Sequence, residues 1–193
     1  RRVGSEMCIR DSSAVVEIDE WAAETLRLNR GKKGPKGKWP VWEIDVKQFD
    51  GTPWKHKIDL FAGGVPCPPF SIAGRQLGAE DDRDLFPEAL RLIREIDPPA
   101  VLLENVKGLG QKRFAEYRRS IILELEKMGY KVFWELLQSA DYGVPQLRPR
   151  FILVALKTEF AEFFAWPSTV SRHTTVGDAL LELMSENGWR GAE

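Results

Sequence analysis

Ile58-Asp59-Leu60-Phe61-Ala62-Gly63-Gly64-Val65-Pro66-Cys67-Pro68-Pro69-Phe70-Ser71 is the stretch on which the reading of this chain turns. Its first five residues form a short, largely apolar run of the kind that makes a buried strand, and two glycines follow it. Pro66, Pro68 and Pro69 then flank a single cysteine. Each proline fixes φ and removes a backbone donor, so the loop has few conformations to lose. A stiff loop leaving a buried strand is where an α/β enzyme presents a nucleophile. An inert cysteine packed beside a proline-rich turn fits these residues equally well.

Residues further along add chemistry at other strand ends. Ala100-Val101-Leu102-Leu103 is apolar and ends in Glu104-Asn105-Val106. A carboxylate at the end of a buried strand needs a partner, because burying an unpaired charge is costly. Tyr142-Gly143-Val144-Pro145-Gln146-Leu147-Arg148-Pro149-Arg150 leads into the apolar run Phe151-Ile152-Leu153-Val154-Ala155-Leu156. A thiol, a carboxylate and two guanidinium groups therefore sit at strand ends or in adjoining loops. Around them, strands are predicted over 14–18, 41–46, 58–62, 100–104, 131–137 and 150–156. Helices are predicted over 20–29, 86–96 and 114–128. Pro87 suits a first helical turn, and Gly129 suits a helix stop. A last helix opens over His173-Thr174-Thr175-Val176-Gly177-Asp178 with a threonine as N-cap and closes near Asn187-Gly188. This alternation predicts an α/β fold.

The Pro-Cys loop, the Glu-Asn-Val and the Gln-x-Arg-x-Arg, in this order and with strand-like flanks, resemble the DNA cytosine-5 methyltransferase family. The likeness runs from about Ala14 to the end of the chain. It implies a Rossmann-like, class I S-adenosylmethionine-dependent methyltransferase domain. Cys67 matches the family nucleophile, which adds to ring carbon 6 of cytosine. Glu104 matches the carboxylate that engages ring nitrogen 3 and the exocyclic amine. Arg150 is expected at the cytosine carbonyl, and Arg148 with Gln146 is expected to organise the Pro-Cys loop. Asn105 is expected to hold its own loop. On the cofactor side, Glu17 matches the ribose-binding acid and Ile18 the adenine-packing residue. Asp45 matches the acid that accepts from the adenine amine, with Val46 beside it, and Pro66 and Leu85 resemble further cofactor-wall positions. The implied partner is double-stranded DNA with its target cytosine flipped out. The resemblance also implies a bacterial or phage setting and a cognate restriction endonuclease. A branch of the family that methylates tRNA, and a non-catalytic DNA-binding relic, stay open at this point.

Composition agrees less specifically. The chain has 193 residues, 43% of them hydrophobic, which suits one packed domain. No apolar run reaches membrane-spanning length and no signal-peptide pattern is present, so a cytoplasmic location is expected. Cys8 and Cys67 are the two cysteines and make no disulfide framework. A net charge of −1 lacks the broad basic signature of a complete DNA-gripping protein. Lys32, Lys33, Lys36 and Lys38 cluster in one loop and suit either phosphate contact or plain solvation. His56 and His173 have no ligand-like spacing, so no metal site is expected, and neither supports a thiol hydrolase around Cys67.

The two ends carry expectations of their own. Residues 6–12 match the translation of GAG ATG TGT ATA AGA GAC AG, a transposon-end sequencing adapter, so residues 1–12 are expected to be non-native. The family opens with a strand and a glycine-rich turn that holds the methionine end of S-adenosylmethionine. Nothing before Ala14 matches that element, and family members continue past the last helix into a target-recognition domain. The chain is therefore expected to be an internal fragment: a partial catalytic domain over 13–193, without the first strand and the target-recognition domain.

Overall fold

Strand β4 (Ala100–Val106) orders the larger of two sheets, lying between a parallel neighbour and an antiparallel one. The computed structural model describes residues 13–29, 40–65 and 84–191. Residues 1–12, the Lys32, Lys33, Lys36 and Lys38 cluster, Pro66 and Cys67 lie outside the described residues. β1 (Val15–Glu17) leads through helix α1 (Glu20–Asn29) to β2 (Val41–Glu43), and these two strands form a parallel pair. The larger sheet has the order β3-β4-β6-β5. There β3 (Leu60–Gly64) runs parallel to β4, while β6 (Pro149–Lys157) is antiparallel both to β4 and to β5 (Tyr130–Gln138). Helix α2 (Phe86–Ile96) joins β3 to β4, α3 (Ala115–Lys127) joins β4 to β5, and α4 (Val176–Glu186) follows the sheet.

Local chemistry explains the element ends. The Asp84 carboxylate accepts the Phe86 N–H at 3.0 Å, and Pro87 stands in the first turn of α2. Asp97 stops this helix in the left-handed region at φ 51°, its N–H donating to the Ile93 carbonyl at 2.9 Å. Thr175 and Asp178 form a reciprocal capping box at the start of α4. Four strands differ from their predicted limits by two residues, counting both ends together, and two differ more. The strand expected over 41–46 ends at Glu43, because the Asp45 side chain accepts the Lys47 N–H and starts a 3-10 turn over Val46–Gln48. The strand expected over 58–62 spans Leu60–Gly64 instead: Gly63 and Gly64 pair with Leu103 and Glu104, while Ile58 packs into a side cluster. Nor is β3 buried as expected. Its residues alternate between exposed and half-buried, with Leu60 37% exposed, because the edge away from β4 faces a cleft.

The side chains of α2 hold the two sheets together. Ala89 and Ile93 face a main core with Phe86, Val101, Leu103, Leu125 and Phe151. Leu92 and Ile96 face a second cluster with Phe49, Val16, Val46 and Phe61. Two apolar pairs at i, i+4 spacing thus give one helix two packing stripes. Arg91 lies between them. Its guanidinium meets Glu88 and Glu95 at 2.7 Å each and donates to the carbonyls of Val46 and Phe49 at 3.1 Å each. Glu95 in turn accepts the Gly51 N–H at 2.9 Å. Removing this fork strips donors from two backbone carbonyls, a loss of about 1–3 kcal/mol. Arg91→Ala is expected to speed amide exchange of the 46–51 segment about tenfold while the amides of β4 and β6 keep their protection; equal loss of protection in both regions contradicts a local clamp.

Candidate active site

Alternation along β4 sends Glu104 and Asn105 to opposite faces of the sheet. Val101, Leu103 and Asn105 face the main core, and Asn105 is only 3% exposed. Its amide donates to the Val65 carbonyl at 3.0 Å, and its side-chain oxygen accepts the Val106 N–H at 2.8 Å. Asn105 thereby ties the end of β3 to the end of β4, one residue before Pro66. Glu104 stands on the other face. Its cross-strand partner is Ile152, and Arg150 is the diagonal neighbour two residues away. The Arg150 Nε lies 2.5 Å from the Glu104 carboxylate, with both side chains partly exposed. A Cβ at Gly64 would sit 3.5 Å from the other Glu104 oxygen, so the carboxylate lies alongside the last residue of β3.

The remaining residues of the Gln-x-Arg-x-Arg stretch are not drawn into this pair. Gln146 and Arg148 are exposed, and their side chains engage none of the described residues. The backbone of Arg148 closes the turn, its carbonyl accepting from Ser139 N–H at 3.2 Å and from the Ser139 hydroxyl at 3.0 Å.

The cofactor-side residues do come together. Glu17, Ile18, Asp45, Val46 and Leu85 all line one cleft of about 1130 Å³ between β1 and β3. These two strands are not paired with each other, and among the described residues each is an end strand of its own sheet. Phe49, Phe61 and Leu92 line the cleft on its apolar side, and three carboxylates line it too: Glu17 at the end of β1, Asp45 two residues past β2, and Asp59 just before β3. The first two are capped locally. Glu17 accepts the Ile18 and Asp19 N–H groups at 2.9 Å each, and Asp45 accepts the Lys47 N–H at 2.9 Å.

Two groups near the site were not singled out in the sequence. Asp84 is buried and takes a hydrogen bond from the Tyr117 hydroxyl of α3, which anchors the segment entering α2. An aspartate two residues before a helical phenylalanine is a helix-start signal that could have marked it. Arg118, the next residue of α3, donates to the Leu109 and Gln111 carbonyls at 2.6 and 3.3 Å, in the turns that leave β4. No sequence signal marks that contact. Among the described residues no group of His, Cys, Asp and Glu could hold a metal ion, and no helix is long and apolar enough to cross a membrane.

The family described as C-5 cytosine-specific DNA methylase matches residues 2–192 of the chain. The Type II methyltransferase M.NgoMIV of Neisseria gonorrhoeae is 54% identical over 180 residues, covering 93% of this chain and 55% of the relative. The Type II methyltransferase M.NaeI of Lentzea aerocolonigenes is 50% identical over 179 residues, covering 92% and 42%. The chain thus spans about half the length of these relatives. A candidate DNA modification methyltransferase encoded within an Escherichia coli prophage superposes with a TM-score of 0.66 at 25% identity, over 88% of this chain and 48% of the other. A DNMT2 structure from Spodoptera frugiperda gives 0.60 at 22% identity, over 86% and 47%, a likeness of fold. The architecture is that of a Rossmann-like methyltransferase.

Asn105→Ala strands a buried carbonyl and a backbone N–H together. The expected cost is about 1–3 kcal/mol, read as a lower urea midpoint at unchanged m. A midpoint within error of the unmodified chain means that the Asn105–Val65 bridge contributes nothing.

Proposed function

The chain belongs to the C-5 cytosine-specific DNA methylase family, and from that premise we propose that it carries the catalytic residues for methyl transfer to carbon 5 of cytosine in DNA. The observation that carries this reading is the placement of Glu104. Its carboxylate lies beside Gly64, three residues before Cys67, and is held by Arg150.

Carbon 5 of cytosine is a poor nucleophile. The thiolate of Cys67 adds to carbon 6 and makes carbon 5 enamine-like, which divides one difficult step into easier ones. A free thiol ionises only near pH ~8.5, so positive charge or a base near Cys67 has to favour the thiolate. Glu104, carrying a proton, donates it to ring nitrogen 3 and accepts from the exocyclic amine, so that the electron pair displaced as the carbon 6–sulfur bond forms is held as the enamine. After carbon 5 is methylated, loss of its proton to a base breaks the carbon 6–sulfur bond and releases the thiolate. Arg150 orients that carboxylate and presents N–H groups to the cytosine carbonyl, a task for which a planar, always charged fork is suited. Asn105 fixes the backbone under both groups, and Gln146 and Arg148 organise the loop that bears Cys67. The base reaches these groups by leaving the duplex.

The cleft suits S-adenosylmethionine in its donor set. Glu17 accepts from ribose hydroxyls and Asp45 from the adenine amine, while Ile18, Val46, Pro66 and Leu85 supply apolar walls. S-adenosylmethionine, when bound, supplies an electrophilic methyl group. The relatives' Type II names support a restriction–modification setting in a bacterial or phage host, with a cognate endonuclease as partner. Such a setting is cytoplasmic.

A chimera tests the chemistry. The 180 matched residues of the gonococcal methyltransferase are replaced by this chain, and the product is incubated with S-adenosylmethionine and a duplex carrying 5-fluorocytosine. A covalent protein–DNA adduct is expected, because fluorine blocks release by elimination, and Cys67→Ala is expected to abolish it. Glu104→Gln is expected to slow methyl transfer to an ordinary duplex by about two to four powers of ten with duplex binding retained. An adduct that survives Cys67→Ala removes that residue from the nucleophile role. Full activity in Glu104→Gln leaves the Glu104–Arg150 contact a structural ion pair.

The isolated 193-residue chain gives a second test. Among the described residues no strand bridges the edges of β1 and β3 that flank the cleft, so S-adenosylmethionine is expected to bind poorly. Micromolar binding by isothermal titration contradicts this.

A further inference from the structure

Arg118 holds a positive charge in a costly place. It is half-buried on α3, burial lowers its pKa, and among the described residues no carboxylate pairs with it. A cation taken partly out of water without a counter-ion is destabilising unless other contacts offset the loss. The contacts it makes are specific. One terminal nitrogen donates to the Leu109 and Gln111 carbonyls at 2.6 and 3.3 Å. The guanidinium carbon sits 4.5 Å from the centre of the Trp134 ring, a cation–π distance. Trp134 on β5 stacks on Phe151 of β6, with ring centres 5.3 Å apart and planes 25° apart.

Those contacts span the two elements that meet at the candidate site. The 3-10 turn over Lys107–Gly110 is the direct continuation of β4, beginning one residue after Val106. Leu109 is fully buried, and Phe151 lies 3.8 Å from where a Gly110 side chain would begin. Phe151 is the register partner of Asn105, and Arg150 that of Val106. Arg118 therefore grips the exit of the strand bearing Glu104 with one terminal nitrogen, and the hairpin bearing Arg150 with its planar guanidinium over the Trp134 ring. Lysine has no such plane, and a neutral side chain has no charge to set against the ring.

We propose that Arg118 is a positioning residue that locks the turn after Glu104 onto the Arg150-bearing hairpin and so fixes the geometry of the Glu104–Arg150 pair. Its importance for catalysis rests on the methyl-transfer reading; its geometric effect does not.

The test uses the 193-residue chain itself, labelled with nitrogen-15. The Nε–H signal of Arg150 is assigned by its loss in Arg150→Lys, and its hydrogen exchange with water is measured. In the unmodified chain this proton is expected to be protected by Glu104. Arg118→Ala is expected to accelerate its exchange roughly tenfold, the size of coupling that neighbouring contacts carry. Arg118→Lys, which keeps a donor but loses the plane, is expected to fall between. Trp134→Leu, which removes the plane's platform and keeps the carbonyl contacts, is expected to accelerate it as well. Thermal midpoints and the Nε–H signals of Arg27 and Arg91 are read beside it and are expected to change little. Unchanged Arg150 exchange in the variants overturns the proposal, as does an unprotected signal in the unmodified chain. Acceleration shared equally by Arg27 and Arg91 marks general loosening and overturns it too. Where Arg118→Ala does not fold, Arg118→Lys and Trp134→Leu decide. A chimera without a 5-fluorocytosine adduct, beside a selective change at Arg150, sinks the methyl-transfer reading and leaves the clamp standing.

Discussion

The side-chain alternation of one strand underlies the candidate site. Because β4 points successive residues to opposite faces, Glu104 and Asn105 divide two incompatible tasks. Asn105 is withdrawn from water and has its amide satisfied on both sides, by the Val65 carbonyl and the Val106 N–H. Glu104 keeps solvent access and a charged neighbour. A shift of one residue in the β3–β4 register would exchange these environments, burying the carboxylate among apolar side chains and exposing the amide. The parallel pairing that sets Gly64 opposite Glu104 is thus a chemical specification as well as a structural one.

The rest of the body supports that strand unequally. The four-stranded sheet has a continuous core beneath it, in which Phe86, Ile93, Leu103 and Phe151 are almost fully buried. Among the described residues the β1–β2 pair has no comparable core of its own. It leans on the second stripe of α2 through Leu92 and Ile96, and on the Arg91 fork. Glu104, Asn105 and Arg150 therefore rest on the part with the larger core, and Glu17, Ile18, Asp45 and Val46 on the part with fewer anchors.

Legibility in the sequence followed the range of the interactions. Helices α1 and α2 occur over the predicted residues, and for α2 the signals are written within the segment itself, in its apolar i, i+4 pairs and in Pro87 at its first turn. Strand limits were harder to read, since pairing partners set them: β3 ran on through two glycines because Leu103 and Glu104 lay opposite. The convergence of Glu17, Ile18, Asp45, Val46 and Leu85 on one cleft was legible only through ordered motifs, as each is an ordinary strand-end or loop residue alone. Arg118 was not legible at all. Its meaning comes from a ring sixteen positions away and from carbonyls, which every residue has.

The cleft between β1 and β3 has a consequence for how the protein behaves in company. Each strand turns one edge of backbone N–H and C=O groups toward no other described strand. Such edges are templates for intermolecular pairing, and another molecule's extended segment satisfies them as well as an internal one. The short length of β1, three residues, limits how many hydrogen bonds a passing chain can gain there, while the five residues of β3 offer more. Where those edges stay uncovered, a higher protein concentration favours pairing between molecules.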